Sequence, residues 1–167
     1  MPERPLRHRV GMHRARSVLA LTLVAVSGAS IAWSAERVGT RGNDTIRGTG
    51  GADRILGRGG DDRLSGRGGN DTVNGGAGSD IVAGDAGNDL LIGGRGADAL
   101  LGGRGRDRLN AVAADGTLDV VAAGAGNDTV RARDGAPDRI VCGPGRDVVF
   151  ADTDDNVAGD CESVRRG

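Results

Sequence analysis

A nine-residue repeat constrains the fold of this chain more than any other feature of its sequence. From Gly39 to Asn110, 72 residues divide without a gap into eight nonapeptides. In all eight, positions 1 and 4 are Gly, position 6 is Asp and position 8 is Ile, Leu or Val. The units are GTRGNDTIR, GTGGADRIL, GRGGDDRLS, GRGGNDTVN, GGAGSDIVA, GDAGNDLLI, GGRGADALL and GGRGRDRLN. Such regularity predicts a stack of small units, because one unit alone cannot bury an apolar face.

The fixed positions each have a physical reason. Glycines three residues apart allow the positive-φ conformations of tight turns. After the aspartate, strand alternation turns the apolar position 8 inward and positions 7 and 9 outward. The chain is only 1% aromatic, so we expect a thin aliphatic core rather than a globular one. The predicted core ladder is Ile46, Ile55, Leu64, Val73, Val82, Leu91, Leu100 and Leu109.

The unit GGAGSDIVA and its neighbours resemble the hemolysin-type calcium-binding repeat, the RTX nonapeptide Gly-Gly-x-Gly-x-Asp-x-U-x, in which U is apolar. The resemblance implies an all-β fold: a right-handed parallel β-roll, or β-solenoid, with two nonapeptides per turn. It also implies several structural Ca²⁺ ions held between turns stacked on the same edge. The second Gly of the consensus is present only at Gly76, Gly94 and Gly103, and this departure bears on the turns of the other units.

The resemblance makes the position-6 aspartates the candidate metal ligands. Ca²⁺ takes six to eight oxygen ligands, which carboxylates and the carbonyls of Gly-rich turns supply. Like charges in turns ~4.8 Å apart repel unless a cation lies between them, and three gaps per edge give about six interior ions at most. The alternative is a metal-free coil whose aspartates only cap turns. The candidates are Asp44, Asp62, Asp80 and Asp98 on one edge, and Asp53, Asp71, Asp89 and Asp107 on the other.

Residues 111–167 carry a degenerate form of the repeat and a C-terminal cap. The Asp-x-apolar step continues at Asp119, Asp128, Asp138 and Asp147, but the spacing slips by three residues near Ala111 to Ala113 and by one at Ala132. Only the units with Asp128 and Asp147 keep the position-4 glycine, so these two aspartates are weaker candidate ligands. End units of a solenoid are expected to be atypical because they cover the open core.

The two cysteines, Cys142 and Cys161, are predicted to form a disulfide, since two lone thiolates fall short of a four-ligand zinc site. By closing a loop, the disulfide would stabilise the folded state by ~3 kcal/mol in the chain-entropy model. This tail resembles the caps of secreted actinobacterial-type proteins with such repeats. We expect Phe150 to plug the last turn.

Three residues of the tail imitate the start of an EF-hand loop: Asp152, Asp154 and Asn156. That loop requires Gly at its sixth position and Glu at its twelfth, where this chain has Val157 and Ser163. We therefore expect these three polar residues to be solvated and not to form a second type of calcium site.

Residues 1–35 have the layout of a secretory signal peptide. Five arginines precede an apolar run and small residues, and we expect cleavage after Ala29, Ala32 or Ala35. The regular repeats follow as residues 36–110. The alternative is an uncleaved membrane anchor, but the apolar segment is shorter than the ~20 residues that span a bilayer. We expect a secreted, extracellular protein with no membrane span after cleavage.

Charge and residue types exclude other functions. The Arg-Gly-Gly steps at Arg58 and Arg67 are typical of RNA-binding tails, but residues 36–167 hold 17 Arg and 22 acidic residues, and Phe150 is their single aromatic residue for base stacking. We therefore expect no nucleic-acid partner. His8 and His13, the only histidines, lie in the signal segment, so we expect no enzyme.

These observations predict a secreted, non-catalytic Ca²⁺-binding protein whose folding is coupled to extracellular Ca²⁺. The alternative is a cell-surface adhesive or self-associating module that uses the calcium-stabilised roll as a scaffold. Outward apolar residues at positions 7 and 9 favour that alternative: Ile81, Leu90, Ile92 and Leu101.

Overall fold

The computed structural model describes residues 20–21, 34–113 and 115–167. Nearly all of the predicted signal segment, including its cleavage sites after Ala29 and Ala32, lies outside these residues. The described residues form strands and turns, and no helix among them is long and apolar enough to cross a bilayer. The strands are β1 (Ala20–Leu21), β2 (Ala35–Val38), β3 (Thr45–Arg47), β4 (Arg54–Gly59), β5 (Arg63–Gly68), β6 (Thr72–Ala77), β7 (Ile81–Ala86), β8 (Leu90–Arg95), β9 (Ala99–Arg104), β10 (Arg108–Asn110), β11 (Val120–Ala125), β12 (Thr129–Ala132), β13 (Arg139–Val141), β14 (Val148–Ala151), β15 (Asn156–Val157) and β16 (Ser163–Arg166).

The chain alternates between two sheets. Sheet A has the order β1-β2-β4-β6-β8-β10-β12-β14-β16, and sheet B has the order β15-β13-β11-β9-β7-β5-β3. Every pairing after β1–β2 is parallel, and within the regular units each residue pairs with the one 18 positions later, as Val73 does with Leu91. One turn is therefore two nonapeptides, which confirms the parallel β-roll.

The core is a ladder of position-8 side chains between the two sheets. Ile55, Val73, Val82, Leu91 and Leu100 have no exposed surface, and the predicted ladder is confirmed through Leu109. Ile46 is only partly buried because its strand, β3, lies at the edge of sheet B. The degenerate units extend the ladder with Val121, Val130, Ile140 and Val149.

Three of the five regular units that lack the second consensus glycine keep its backbone conformation, whereas Thr40 and Thr49 in the first two units do not. Arg58, Arg67 and Asp85 have φ angles of 85°, 78° and 73° at this position, close to the left-handed conformation that glycine adopts elsewhere. Arg58 remains in register with Gly76, which has a φ of 115°. Hydrogen bonding along the sheets therefore holds three non-glycine residues in a conformation that costs about 1 kcal/mol each.

A disulfide closes the C-terminal end of the roll, as predicted. The Sγ atoms of Cys142 and Cys161 are 2.01 Å apart, and Cys142 is fully buried in the core cluster. The expectation for Phe150 is wrong. Phe150 lies outside the core cluster, with the guanidinium groups of Arg133 and Arg165 at 5.6 and 5.5 Å from its ring centroid. Strand alternation explains this, because Val149 and Ala151 on either side are the inward-facing residues of β14.

Substitution at the strained turn position should change stability in opposite directions at two paired sites. We expect Arg58→Gly to raise the free energy of unfolding by about 0.5–1 kcal/mol, because glycine adopts this φ without a steric penalty. We expect Gly76→Ala to lower it by more than this, since a Cβ there would also collide with the carbonyl oxygen of Arg58. Urea unfolding at one fixed Ca²⁺ concentration measures both. A loss of stability in Arg58→Gly would contradict the strain.

Candidate metal centres

The predicted ligands line the two edges of the roll, at the ends of the turns that connect the sheets. The position-6 aspartates from Asp53 to Asp107 are at most 4% exposed, whereas Asp44 in the first turn is half-buried. Charged side chains are almost never fully buried without a partner. Each oxygen in these two rows of buried carboxylates therefore needs a hydrogen-bond donor or a cation as a partner.

One oxygen of each carboxylate binds the backbone of the preceding turn. The N–H of Asp62 donates to Asp80 Oδ1, and the N–H of Asp80 donates to Asp98 Oδ1, both at 2.8 Å. We call the two resulting rows the first and second carboxylate ladders. The first contains Asp44, Asp62, Asp80, Asp98, Asp119, Asp138 and Asp155. The second contains Asp53, Asp71, Asp89, Asp107, Asp128, Asp147 and Glu162.

The other oxygen has no protein partner along most of both ladders. The Oδ2 atoms without a hydrogen bond are buried, and leaving a buried carboxylate oxygen unsatisfied costs free energy. They belong to Asp62, Asp71, Asp80, Asp89, Asp98, Asp107, Asp128, Asp138 and Asp147. In the first turn the situation differs, since Thr40 and Thr49 donate from N–H and Oγ to the Oδ2 atoms of Asp44 and Asp53.

A backbone carbonyl oxygen lies beside these free carboxylate oxygens. A Cβ built on Gly57, at position 1, would collide with Asp62 Oδ2 and with the carbonyl oxygen of Gly75 in the next turn. The same arrangement recurs at Gly75, where Asp80 Oδ2 and the Gly93 carbonyl would be hit. Glycine at position 1 thus leaves space where a carboxylate and a carbonyl oxygen converge.

Burial changes the protonation of the ladders. It raises the pKa of Asp71, Asp80, Asp98 and Asp107 to about 6, against the lowering effect of the N–H that each carboxylate accepts. Neighbouring aspartates of the same ladder add to the rise by repulsion. The ladders therefore bind protons more strongly than free carboxylates do, and at neutral pH the ionised carboxylates favour another cation.

Comparison with known families identifies this repeat. The model of the RTX calcium-binding nonapeptide repeat matches residues 38–73, 74–109 and 114–136, which is more than half of the chain. The chain belongs to the RTX calcium-binding nonapeptide repeat family. No curated protein and no solved structure matches it. RTX nonapeptide repeats bind Ca²⁺, and the periodic aspartates of this roll stand at the Asp position of the repeat's consensus.

The donor set fits the ion that the RTX family implies. Ca²⁺ prefers carboxylate and carbonyl oxygens over nitrogen or sulfur, and both oxygen types converge at the position-1 glycines Gly57, Gly75 and Gly84. The residues that would hold the ion are the ladder aspartates with a free Oδ2. There the ion would supply the positive charge that these buried oxygens lack. The first-turn aspartates fit less well, because threonine donors already bind their Oδ2 atoms.

The degenerate RTX units fill the glycine space with side chains. Position 1 holds Ala111, Ala123, Ala132, Cys142 and Ala151, all fully buried in the core cluster. Their sheet pairing matches that of the glycines, as the N–H of Ala111 donates to the carbonyl of Arg131 where Gly39 donates to Leu56. The Oδ2 atoms of Asp128 and Asp147 have no partner, yet Ala123 and Cys142 stand at position 1 of their units. They remain weaker candidates.

Sequence reasoning missed two ladder residues, Asp155 and Glu162, and it noted the Asp-x-apolar step at Asp119 and Asp138 without making them candidate ligands. The missed signal was the same acid-x-apolar step at Asp155–Val157 and Glu162–Val164. Irregular spacing hid it, since the hydrogen-bonded residues of the degenerate turns lie 15 to 21 positions apart.

The three EF-hand-like residues differ in their exposure to solvent. Asp154 and Asn156 are exposed, as predicted. The prediction is wrong for Asp152, which is half-buried and accepts the N–H groups of Asp134 and Gly135 through Oδ2.

We expect the metal-free RTX roll to lose stability as pH rises from about 4 to about 7. The pKa values of the ladder aspartates are raised on folding, so the folded chain binds more protons than the unfolded chain in this window, and its stability falls as they are released. Thermal unfolding in a chelator across this range measures the effect. With saturating Ca²⁺ the trend should weaken or reverse, since the ion competes with protons. A metal-free Tm that rises with pH would contradict the pKa shifts.

Proposed function

We propose that this RTX chain is a secreted, non-catalytic Ca²⁺-binding β-roll whose folding is coupled to extracellular Ca²⁺. The observation that carries the proposal is the pair of carboxylate ladders, each with a buried, unpartnered Oδ2 repeated from turn to turn. Secretion rests on the signal-like segment 1–35 of the sequence. Extracellular Ca²⁺ would then bind to the ladders after export.

The energetics favour coupling between the ion and the fold. Each glycine adds conformational entropy to the unfolded chain, and the core that opposes this entropy is one aliphatic side chain wide. Stacking the turns also brings the carboxylates of each ladder together. A cation that binds only the folded roll removes the repulsion and stabilises the fold by mass action. Low cytosolic Ca²⁺ would leave the chain unfolded before export.

Paired substitutions at neighbouring aspartates test this coupling. We expect Ca²⁺ to induce the β circular dichroism signal of the purified protein, and Asp62→Asn to raise the Ca²⁺ concentration at half-folding several-fold. Asn keeps an acceptor for the N–H of Asp44 but removes the charge. Asp61→Asn is the matched control, since Asp61 is exposed and its Oδ1 accepts the N–H of Ser79. A dichroism spectrum unchanged by chelator at neutral pH would refute the coupling.

A second candidate function is self-association through the outer face of sheet B. Ile81, Leu101, Val120 and Val141 are 38 to 50% exposed and come from four neighbouring strands, β7, β9, β11 and β13. Alanines pair with them across the strands, as Ala99 does with Ile81 and Val120. The other two predicted patch residues, Leu90 and Ile92, lie on β8 in sheet A. Half of the eight exposed large apolar side chains in the described part of the chain therefore lie on one face of the roll, which fits contact with a second copy.

Introducing an aspartate on the outer face of one sheet at a time tests self-association. We expect Leu101→Asp to lower the sedimentation coefficient of the calcium-loaded protein toward that of a monomer, because it places a carboxylate within the apolar face. Ile92→Asp is the matched control on sheet A and should change sedimentation little. If wild type and Leu101→Asp both sediment as monomers at high protein concentration, this second function is wrong.

A further inference from the structure

An additional acidic side chain, that of Asp134, lies beside the first ladder in the degenerate turns. Asp134 lies between β12 and β13, four residues before Asp138. One carboxylate oxygen from each of Asp119, Asp134 and Asp138 lies within 4.8 Å of the other two. Two oxygens on opposite sides of a Ca²⁺ ion, each at 2.3–2.6 Å, are separated by about this distance.

The burial of Asp138 gives an independent indication of a ligand. Its side chain has no exposed surface, its Oδ1 accepts the N–H of Asp119, and its Oδ2 has no partner. Asp119 is also buried, at 1% exposure, and Asp134 is half-buried. An unpartnered oxygen on a fully buried carboxylate, next to two further carboxylates, requires a positive charge.

No basic side chain supplies that charge. Among the residues that the structure describes, the only ion pair closer than 4.0 Å joins Arg54 and Glu36, far from this cluster in the sequence. The neighbouring groups are mostly acidic. Repulsion from Asp98, Asp115 and Asp155 acts on Asp119 or Asp138, and Asp152 accepts the N–H of Asp134.

We propose that Asp119, Asp134 and Asp138 form a divalent-cation site of three carboxylates, distinct from the sites of the regular units. The inference rests on the proposed calcium function of the chain. In a regular unit, position-1 glycine admits a carbonyl oxygen beside the ladder carboxylate. Here buried Ala132 stands at position 1, and Asp134 contributes a side-chain oxygen instead. Greater ligand charge generally strengthens Ca²⁺ binding, so this degenerate turn retains a site of its own.

Asp134 also contacts the backbone, and this contact defines the competing explanation. Its Oδ2 accepts the N–H of Ala113 at 3.1 Å, and its Oδ1 accepts the N–H of Ala136 at 2.9 Å. A residue that only caps this loop needs an acceptor oxygen on a short side chain. A metal ligand needs the negative charge. Asn preserves the first property and removes the second, whereas Glu preserves the charge on a longer side chain.

Calcium calorimetry on the purified full-length chain tests the site. We expect Asp134→Asn to bind one Ca²⁺ fewer than wild type, or to bind one ion at least tenfold more weakly, with an unchanged dichroism spectrum at saturating Ca²⁺. Asp85→Asn is the matched control, because Asp85 accepts hydrogen bonds from Ser65 Oγ and the N–H of Arg67 in the preceding turn and, among the described residues, belongs to no group of three acidic side chains whose oxygens lie within 4.8 Å. This control should bind as many ions as wild type.

Several outcomes would overturn the proposal. Unchanged ion number and affinity in Asp134→Asn would do so while leaving the proposed function intact. Loss of the folded spectrum in Asp134→Asn at saturating Ca²⁺ is resolved by Asp134→Glu. Retention of the ion in the Glu variant supports the site, and its loss together with the fold assigns Asp134 to capping. If wild type binds no Ca²⁺, the proposed function and this site both fail.

Discussion

The hydrogen bond from a backbone N–H to the carboxylate of the next turn is the interaction on which this roll depends. It sets the distance between turns and uses the Oδ1 atom of each ladder aspartate as an acceptor. It leaves the Oδ2 atom of most of these aspartates buried without a hydrogen bond. The aliphatic ladder then packs in the register that these bonds set. Because the same contact uses only half of each carboxylate, the fold creates a demand for cations as it forms.

Much of this architecture could be predicted from the sequence, because the period is unbroken over eight units. Position 8 alone identifies the core, and two units per turn place alternate aspartates on opposite edges. The resemblance to the RTX repeat supplied the number of units per turn, which the nonapeptide itself does not state. The conformation at Arg58 was not predictable, since a residue with a Cβ is expected to avoid a positive φ unless its neighbours enforce it.

The C-terminal third was less predictable for a physical reason. Once the sheets are in register, loops on the edges tolerate insertions and deletions, so the ladder continues through Asp155 and Glu162 although the period is lost. Phe150 was misplaced because its size suggested a plug, whereas its place in the alternation of β14 decided its direction. The cluster around Asp134 depends on a loop whose path the repeat does not encode.

The change from glycine to alanine or cysteine at position 1 divides the roll into two kinds of turn. From Gly57 to Gly93 the space beside each carboxylate is open to an ion, and from Ala111 to Ala151 a methyl or sulfur group fills it and joins the core. The space at position 1 thus changes along a single stack, while the carboxylate hydrogen bonds continue through both kinds of turn. In a solenoid of this kind, one methyl group per unit decides whether the carboxylate of a turn lies beside unfilled space or beside the apolar core.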